Sequence, residues 1–243
     1  MKGIILAGGK ATRLRPLTWV TSKQLLPVYN KPMIYYPIET LTRAGITEIL
    51  IIVSPEFAGH YLNLLGNGKD VGAKINYVVQ PTPGGLPEAF IYGDDFIDND
   101  DVTLILGDNI FDYDFSEHIK NFKKGAVTYA KKVTDPERFG VVEFAKDGHV
   151  VSIEEKPQKP KSDYASVGIY TFDSRVVKFA KDLKPSPRGE LEIVDLQNVY
   201  LKNGDLKVNI IEGLWEDAGT FDSLLRAANL MQEKAISTKE EGK

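Results

Sequence analysis

Arg13, Arg15 and Lys23 follow within fifteen residues of a Gly8-Gly9 pair, and cations around a glycine turn are what a polyphosphate needs. Glycine lacks Cβ, so its backbone N–H groups approach an anion closely. Consecutive N–H groups in such a turn form an anion-binding concavity. Two acidic positions complete a possible phosphoryl-transfer set: Asp108 in Gly107-Asp108-Asn109, and Asp217 in Trp215-Glu216-Asp217-Ala218-Gly219. Magnesium favours carboxylate oxygens together with substrate phosphates. Each feature also has a simpler reading. A Gly-Gly turn with solvated arginines is ordinary, a strand-end Asp equally caps a helix, and Asp217 reads as helix N-terminal chemistry with Thr220 the better cap.

Two further stretches bear on substrates. Gln80 to Leu86 (QPTPGGL) offers a side-chain amide beside a Gly-rich turn, which can read a pyrimidine edge; a plain Pro-Gly loop is the alternative. Ile153-Glu154-Glu155-Lys156-Pro157 places a hydroxyl acceptor next to a phosphate-reaching cation. A solvated ion pair, worth little, is the alternative there. The glycines at 8 and 9 do not fit G-x-G-x-x-G, because Lys10 to Arg13 lack the spacing. A P-loop is excluded as well, with Ile4 at the first glycine and Ala11 where Ser or Thr belongs.

These residues need elements that aim them. Ile4-Ile5-Leu6 reads as a buried strand emptying into Gly8. Pro32–Ala44 reads as a helix with Pro37 bending its start, Thr47–Val53 as a strand, and Pro55–Leu65 as a helix. Ile75–Val79 is a strand, Gly85 to about Phe96 helical, and Val102–Leu106 a strand ending at Asp108. That alternation predicts an α/β protein with a mostly parallel sheet covered by helices on both faces. Beyond Asp108 strands crowd together at 126–132, 140–144, 150–155 and 165–172. Helices follow at 174–183 and 190–202, a strand at 206–211 and a last helix at 221–233. One domain spans residues 1–235, in two halves that divide at about residue 110, and 236–243 is expected to be a frayed tail.

Composition bounds the rest. The chain has 243 residues, 42% hydrophobic and 10% aromatic, enough for a sizeable core. A net charge of −4 points away from nucleic acid or membrane partners, so any polyphosphate site is expected to be a local positive focus. No cysteine means no disulfide or thiol chemistry. His60, His118 and His149 stand far apart and receive no role. No signal-peptide core or 18-residue apolar run is seen, so the expected compartment is the cytoplasm.

The segments L-A-G-G-x-[GA]-T-R-L-x-P-x-T, S-K-Q-L-L-P-V and K-P-M-I-Y-Y-P, from Met1 to about Leu230, resemble the sugar-1-phosphate nucleotidyltransferases, and most closely their thymidylyl-transferring members. Ala11 departs from the usual Gly; its methyl is expected to be tolerated, with a narrowed loop as the alternative. The resemblance implies the three-layer nucleotide-diphospho-sugar transferase fold. It implies dTTP and α-D-glucose 1-phosphate as substrates, dTDP-glucose and pyrophosphate as products, Mg2+ as cofactor and a homo-oligomer. Leu6, Ala7, Gly8, Gly9, Thr12, Arg13, Gln24, Gln80, Pro83, Gly85 and Leu86 would then hold the nucleotide. Lys23, Asn109, Gly140, Glu155, Lys156, Val167, Arg188 and Trp215 would hold the sugar phosphate, and Asp108 and Asp217 the metal, with Arg13, Lys23 and Asp108 catalytic. UTP or another hexose 1-phosphate is the near alternative, and a non-catalytic sugar-nucleotide sensor the distant one. Longer relatives carry extra C-terminal helices that build a regulatory product site; without them feedback is expected to be purely competitive.

Overall fold

The computed structural model describes the backbone of residues 1–241 and the side chains of residues 1–237. The chain opens with β1 (Lys2–Ala7), short 3-10 turns at Thr12–Leu14, Leu17–Trp19 and Lys23–Leu25, and a hairpin of β2 (Pro27–Val28) and β3 (Lys31–Pro32). Then come α1 (Tyr35–Arg43), β4 (Glu48–Val53), α2 (Ala58–Leu65), β5 (Lys74–Val79), α3 (Glu88–Tyr92), α4 (Asp94–Ile97) and β6 (Val102–Leu106). The second half runs β7 (Asn109–Phe111), α5 (Ser116–Lys120), β8 (Ala126–Lys132), β9 (Gly140–Phe144), β10 (Val150–Glu155), β11 (Tyr164–Phe172), α6 (Val176–Asp182), α7 (Ile193–Lys202), β12 (Leu206–Ile210), β13 (Trp215–Asp217) and α8 (Phe221–Glu241).

Nine strands, drawn from both expected halves, form one mixed sheet. β1 lies between β4 and β6, parallel to both, with β5 beyond β4. On the other side of β6, β11 runs antiparallel and carries β8 and then β12, while β9 and β10 branch from its start. The chain leaves β1 in one direction to β4 and returns on its other side as β6. Carboxyl ends flanking such a reversal of strand order are where open α/β sheets bind ligands.

Both faces are buried, as a parallel sheet requires. On one, Ile4, Leu50, Ile52 and Leu104 pack with Phe90, Ile97, Val176 and Leu196 from α3, α4, α6 and α7. On the other, Ile5, Ile49, Ile51 and Ile105 meet Ile38, Leu41, Tyr61, Leu65 and Ile119 from α1, α2 and α5. A third, smaller cluster joins α8 to the hairpin and β7 through Ala227, Ala218, Val28, Met33 and Ile110.

Several boundaries differ from the expected ones. α1 starts three residues late, because Lys31 and Pro32 pair with the strand before them. Gly85–Phe96 is not one helix: Gly93, whose Cβ would meet Ala89 O at 2.8 Å, separates α3 from α4. α8 does not stop at Glu233 but continues to Glu241, so the expected frayed tail is helical over 236–241. Lys and Glu, abundant there, are good helix formers; residues 242 and 243 lie outside the described part.

Candidate active site

A cleft of about 700 Å³ opens at the carboxyl ends of β1 and β6. Its floor on one side is the turn after β1, where Gly8 and Gly9 line the cavity and Gly9 takes a positive φ of 99°. Alternation along β1 decides which neighbours take part: Leu6 and Gly8 face the cleft, while Ala7 is buried on the opposite face. Arg13 reaches the cleft beside Gly219, where an added Cβ would lie 2.9 Å from its Nη2. Thr12 and Arg15 are exposed outside the lining.

Ala11 has φ 43° and ψ 44°, the left-handed region that glycine enters freely. Its carbonyl accepts hydrogen bonds from Thr18 Oγ1 at 2.8 Å and Leu14 N at 3.1 Å, which hold the turn in place. Its methyl does not line the cleft and so does not narrow it. A left-handed alanine costs ~1–2 kcal/mol, and glycine's greater chain entropy offsets ~0.5–1 kcal/mol of any relief. Ala11→Gly should therefore leave stability unchanged or raise it by up to ~1.5 kcal/mol in urea unfolding. A clearly destabilised variant would contradict the strain.

Asp108 and Asp217 are brought together by a short ladder. β13 pairs antiparallel with β7, matching Asp217 to Asn109, and Ala218 N donates to Asp108 O at 2.9 Å. Asp217 therefore sits on a strand, not at a helix start. Asn109 ties the corner: its Oδ1 accepts from Trp215 Nε1 at 2.7 Å and Gly168 N at 3.1 Å, and its Nδ2 donates to Asp108 Oδ1 at 3.1 Å. Gly168 permits this contact, since a Cβ there would lie 2.5 Å from Asn109 Oδ1.

The two carboxylates differ electrically. Burial pushes Asp108 up, but the Lys23 ammonium and hydrogen bonds from Lys23 and Asn109 outweigh it and hold Asp108 below the usual carboxylate range. Lys23 Nζ is in direct contact with Asp108 Oδ2. Asp217 has no such partner: burial first, and the nearby Asp108 charge second, push it up to about 6. Its Oδ1 is buried with no hydrogen bond. An orphaned carboxylate oxygen facing a second carboxylate is the donor set of a hard divalent cation, and these two residues fit one.

The far wall of the cleft comes from β9, β10, β11, β13 and the loop before α7. Gly140, Glu155, Lys156, Trp215 and Arg188 all line it. On β11 the period of two turns Ser166, Gly168 and Tyr170 to the cleft and buries Val167 in the core, so Val167 is not a wall residue. Arg188 is not a free cation: Nη2 meets Glu192 Oε2 at 2.7 Å, Nε meets Glu192 Oε1 at 3.1 Å, and Nη2 also reaches Glu155 at 3.4 Å.

The nucleotide-side amides separate. Gln80 lines the cleft under Gly8, whose Cβ would lie 3.2 Å from its Oε1; Pro83, Gly85 and Leu86 line it too. Gln24 does not: it is buried behind the turn, its Oε1 accepting from Ser22 Oγ at 2.6 Å. Nor is the cleft a positive focus as expected. Arg13, Lys23, Arg138, Lys156 and Arg188 are balanced by Asp108, Glu155, Glu190, Glu192 and Asp217. Sequence reasoning missed Arg138 and Glu192 as lining residues, although they lie close in the chain to Gly140 and Arg188, which it named. It also missed Glu88, which lies behind the lining and bonds Gln80 and Gly84.

Residues 2–234 match the nucleotidyl transferase family. A Neisseria meningitidis glucose-1-phosphate thymidylyltransferase is 56% identical over 96% of this chain and 83% of its own length. The Mycolicibacterium smegmatis enzyme of the same name is 48% identical over 96% and 82%. A solved Bacillus anthracis structure, described as a glucose-1-phosphate thymidylyltransferase in complex with sucrose, superposes with a TM-score of 0.90 at 48% identity, covering 95% of this chain and 94% of that one. A UDP-glucose pyrophosphorylase bound to UDP-glucose shares the fold at a TM-score of 0.83 and 22% identity, covering 96% and 98%. No helix among the described residues is long and apolar enough to cross a membrane.

Proposed function

The chain belongs to the nucleotidyl transferase family, and we propose that it joins dTTP and α-D-glucose 1-phosphate to give dTDP-glucose and pyrophosphate. The observation that supports this most is the Asp108–Asp217 pair standing where the Gly8-Gly9 side of the cleft meets the Glu155-Lys156 side. A sugar phosphate oxygen attacks the α-phosphorus of dTTP. The new P–O bond forms as the bond from the α-phosphorus to the bridging oxygen breaks, and both electrons leave with pyrophosphate. No proton need be removed from an already anionic nucleophile. The remaining difficulty is holding two anions in line, a matter of positioning and charge.

The residues divide that work. Gly8 and Gly9 offer backbone N–H groups to the triphosphate. Arg13, which has no hydrogen bond or ion pair within the described residues, is free to meet the charge that moves onto pyrophosphate. Lys23 spans the incoming and transferred phosphates. Glu155 accepts sugar hydroxyls and Lys156 takes the sugar phosphate, with Arg188 orienting both glutamates. Asp108 and Asp217 would hold a divalent cation, as enzymes of this family generally use; Mg2+ is the one proposed, and when bound it would neutralise phosphate charge.

The test mixes the protein with dTTP, UTP, dCTP or GTP and several hexose 1-phosphates and follows pyrophosphate release. Release should be greatest with dTTP and glucose 1-phosphate and should vanish in excess EDTA. A pocket that senses only the thymine methyl separates dTTP from UTP by at most ~10–200-fold. Undiminished turnover in EDTA would remove the metal from the scheme, and no release with any pair would remove the activity. A homo-oligomer is part of the same proposal, and light scattering on the free protein checks it.

A further inference from the structure

Glu88 has no part in the chemistry above, yet it touches two pieces of the nucleotide wall at once. Its Oε2 accepts from Gln80 Nε2 at 2.6 Å and from Gly84 N at 2.8 Å. A carboxylate only accepts hydrogen bonds, so the NH2 end of the Gln80 carboxamide must face Glu88. The carbonyl end is thereby turned away from it, toward Gly8. Gln80 is 3% exposed and no donor among the described residues reaches its Oε1. Gly84 completes the arrangement: any side chain on it would strike Glu88, whose Oε1 lies 2.2 Å from where a Cβ would be.

We infer that Glu88 is a positioning residue that fixes the polarity of the Gln80 carboxamide and so selects the base of the nucleotide. This rests on the nucleotide reading above. A carboxamide held this way presents an acceptor, Oε1, flanked by the second N–H of Nε2. The imide edge of thymine or uracil presents the complement, an N3–H donor flanked by a carbonyl. Cytosine presents an unprotonated N3 flanked by an amino group, so acceptor would meet acceptor and donor would meet donor. An unanchored carboxamide can rotate by half a turn and serve either base. Anchoring it forbids the second arrangement, which is selection by exclusion as much as by attraction.

The experiment compares kcat/KM for dTTP and dCTP, with glucose 1-phosphate and Mg2+, in the wild type, Glu88→Leu and Glu88→Gln. Glu88→Leu removes the acceptor, and the dTTP/dCTP ratio should fall by roughly ten- to a hundredfold, the worth of a good bidentate base contact. Glu88→Gln is close in shape and keeps a carbonyl acceptor that Gly84 N orients, so its ratio should stay within a few fold of the wild type, rescuing what Glu88→Leu loses. KM for glucose 1-phosphate should hold within about twofold in both, which a general loosening of the site would not allow. A wild-type ratio in both folded variants would overturn the inference. So would a rise in KM that is equal for the two substrates. Failure of the wild type to use dTTP at all would instead overturn the nucleotide reading beneath it.

Discussion

Replacing Lys23 by Ala should reduce kcat by about 10²–10³-fold, the usual cost of losing one preorganised charge donor at a reacting phosphate or carbonyl. The same change should also weaken the fold. Lys23 touches Asp108, which is 7% exposed, and removing one member of a buried ion pair leaves an uncompensated charge. Such losses run to ~3–5 kcal/mol. The two effects can be parted. Lys23→Met combined with Asp108→Asn removes both charges together, so its urea midpoint should return toward that of the wild type while turnover stays absent. A Lys23→Ala variant that keeps wild-type kcat would reduce Lys23 to a structural counter-ion. One that unfolds no more readily than the wild type would show that the pair carries no stability.

Asp217→Asn should do the reverse to stability while also abolishing most activity. Asp217 titrates in the folded protein near 6, above its ordinary 3.8, because it is buried and faces the Asp108 charge. A carboxyl whose folded value is raised favours the folded state while protonated. That contribution is complete below the unfolded value and is lost as pH rises through about 6. Above that range the ionised carboxylate costs the unliganded protein about 2–3 kcal/mol, since one pKa unit corresponds to 1.36 kcal/mol. Without divalent cation, Asp217→Asn should therefore melt higher than the wild type at pH 8 and about the same at pH 4. Adding Mg2+ at pH 8 should raise the wild-type melting temperature and leave the variant unmoved. If the two proteins melt together at both pH values, the carboxylate repulsion is absent; if Mg2+ stabilises both equally, Asp217 does not hold it.

The sheet was legible because its signals are local. Ile4-Ile5-Leu6, Thr47–Val53 and Val102–Leu106 are apolar runs with glycine or acid at their ends, and β1, β4 and β6 lie within a residue or two of them. The site was legible in its residue types but not its pairings. Nothing at sequence level says that Trp215–Asp217 is a strand, because three residues carry no period and the partner lies 106 residues away for the Trp215–Asn109 bond. Nor could spacing show that Arg188 is taken by Glu192, or that Gln24 is buried behind the turn. Val167 and Ala7 are a different case: they lie in the segments singled out, but the period of two along their strands buries their side chains away from the cleft.

The ladder joining β7 to β13 also sets an order of events. The β1–β4 and β4–β5 pairings close over about 46 and 26 residues, whereas β6 must reach β1 across about 100 and β13 must reach β7 across about 106. Loop closure over that distance has an entropic cost that local contacts do not meet. On refolding, the acidic pair should therefore assemble after the β1–β4–β5 part of the core, leaving an interval in which the protein is compact but inert. Trp215, whose indole donates to Asn109, is a built-in reporter of that last step, while Trp19 is 68% exposed and would report little of it. In a Trp19→Phe protein, recovery of indole fluorescence should keep pace with recovery of turnover, and both should trail the return of far-ultraviolet circular dichroism.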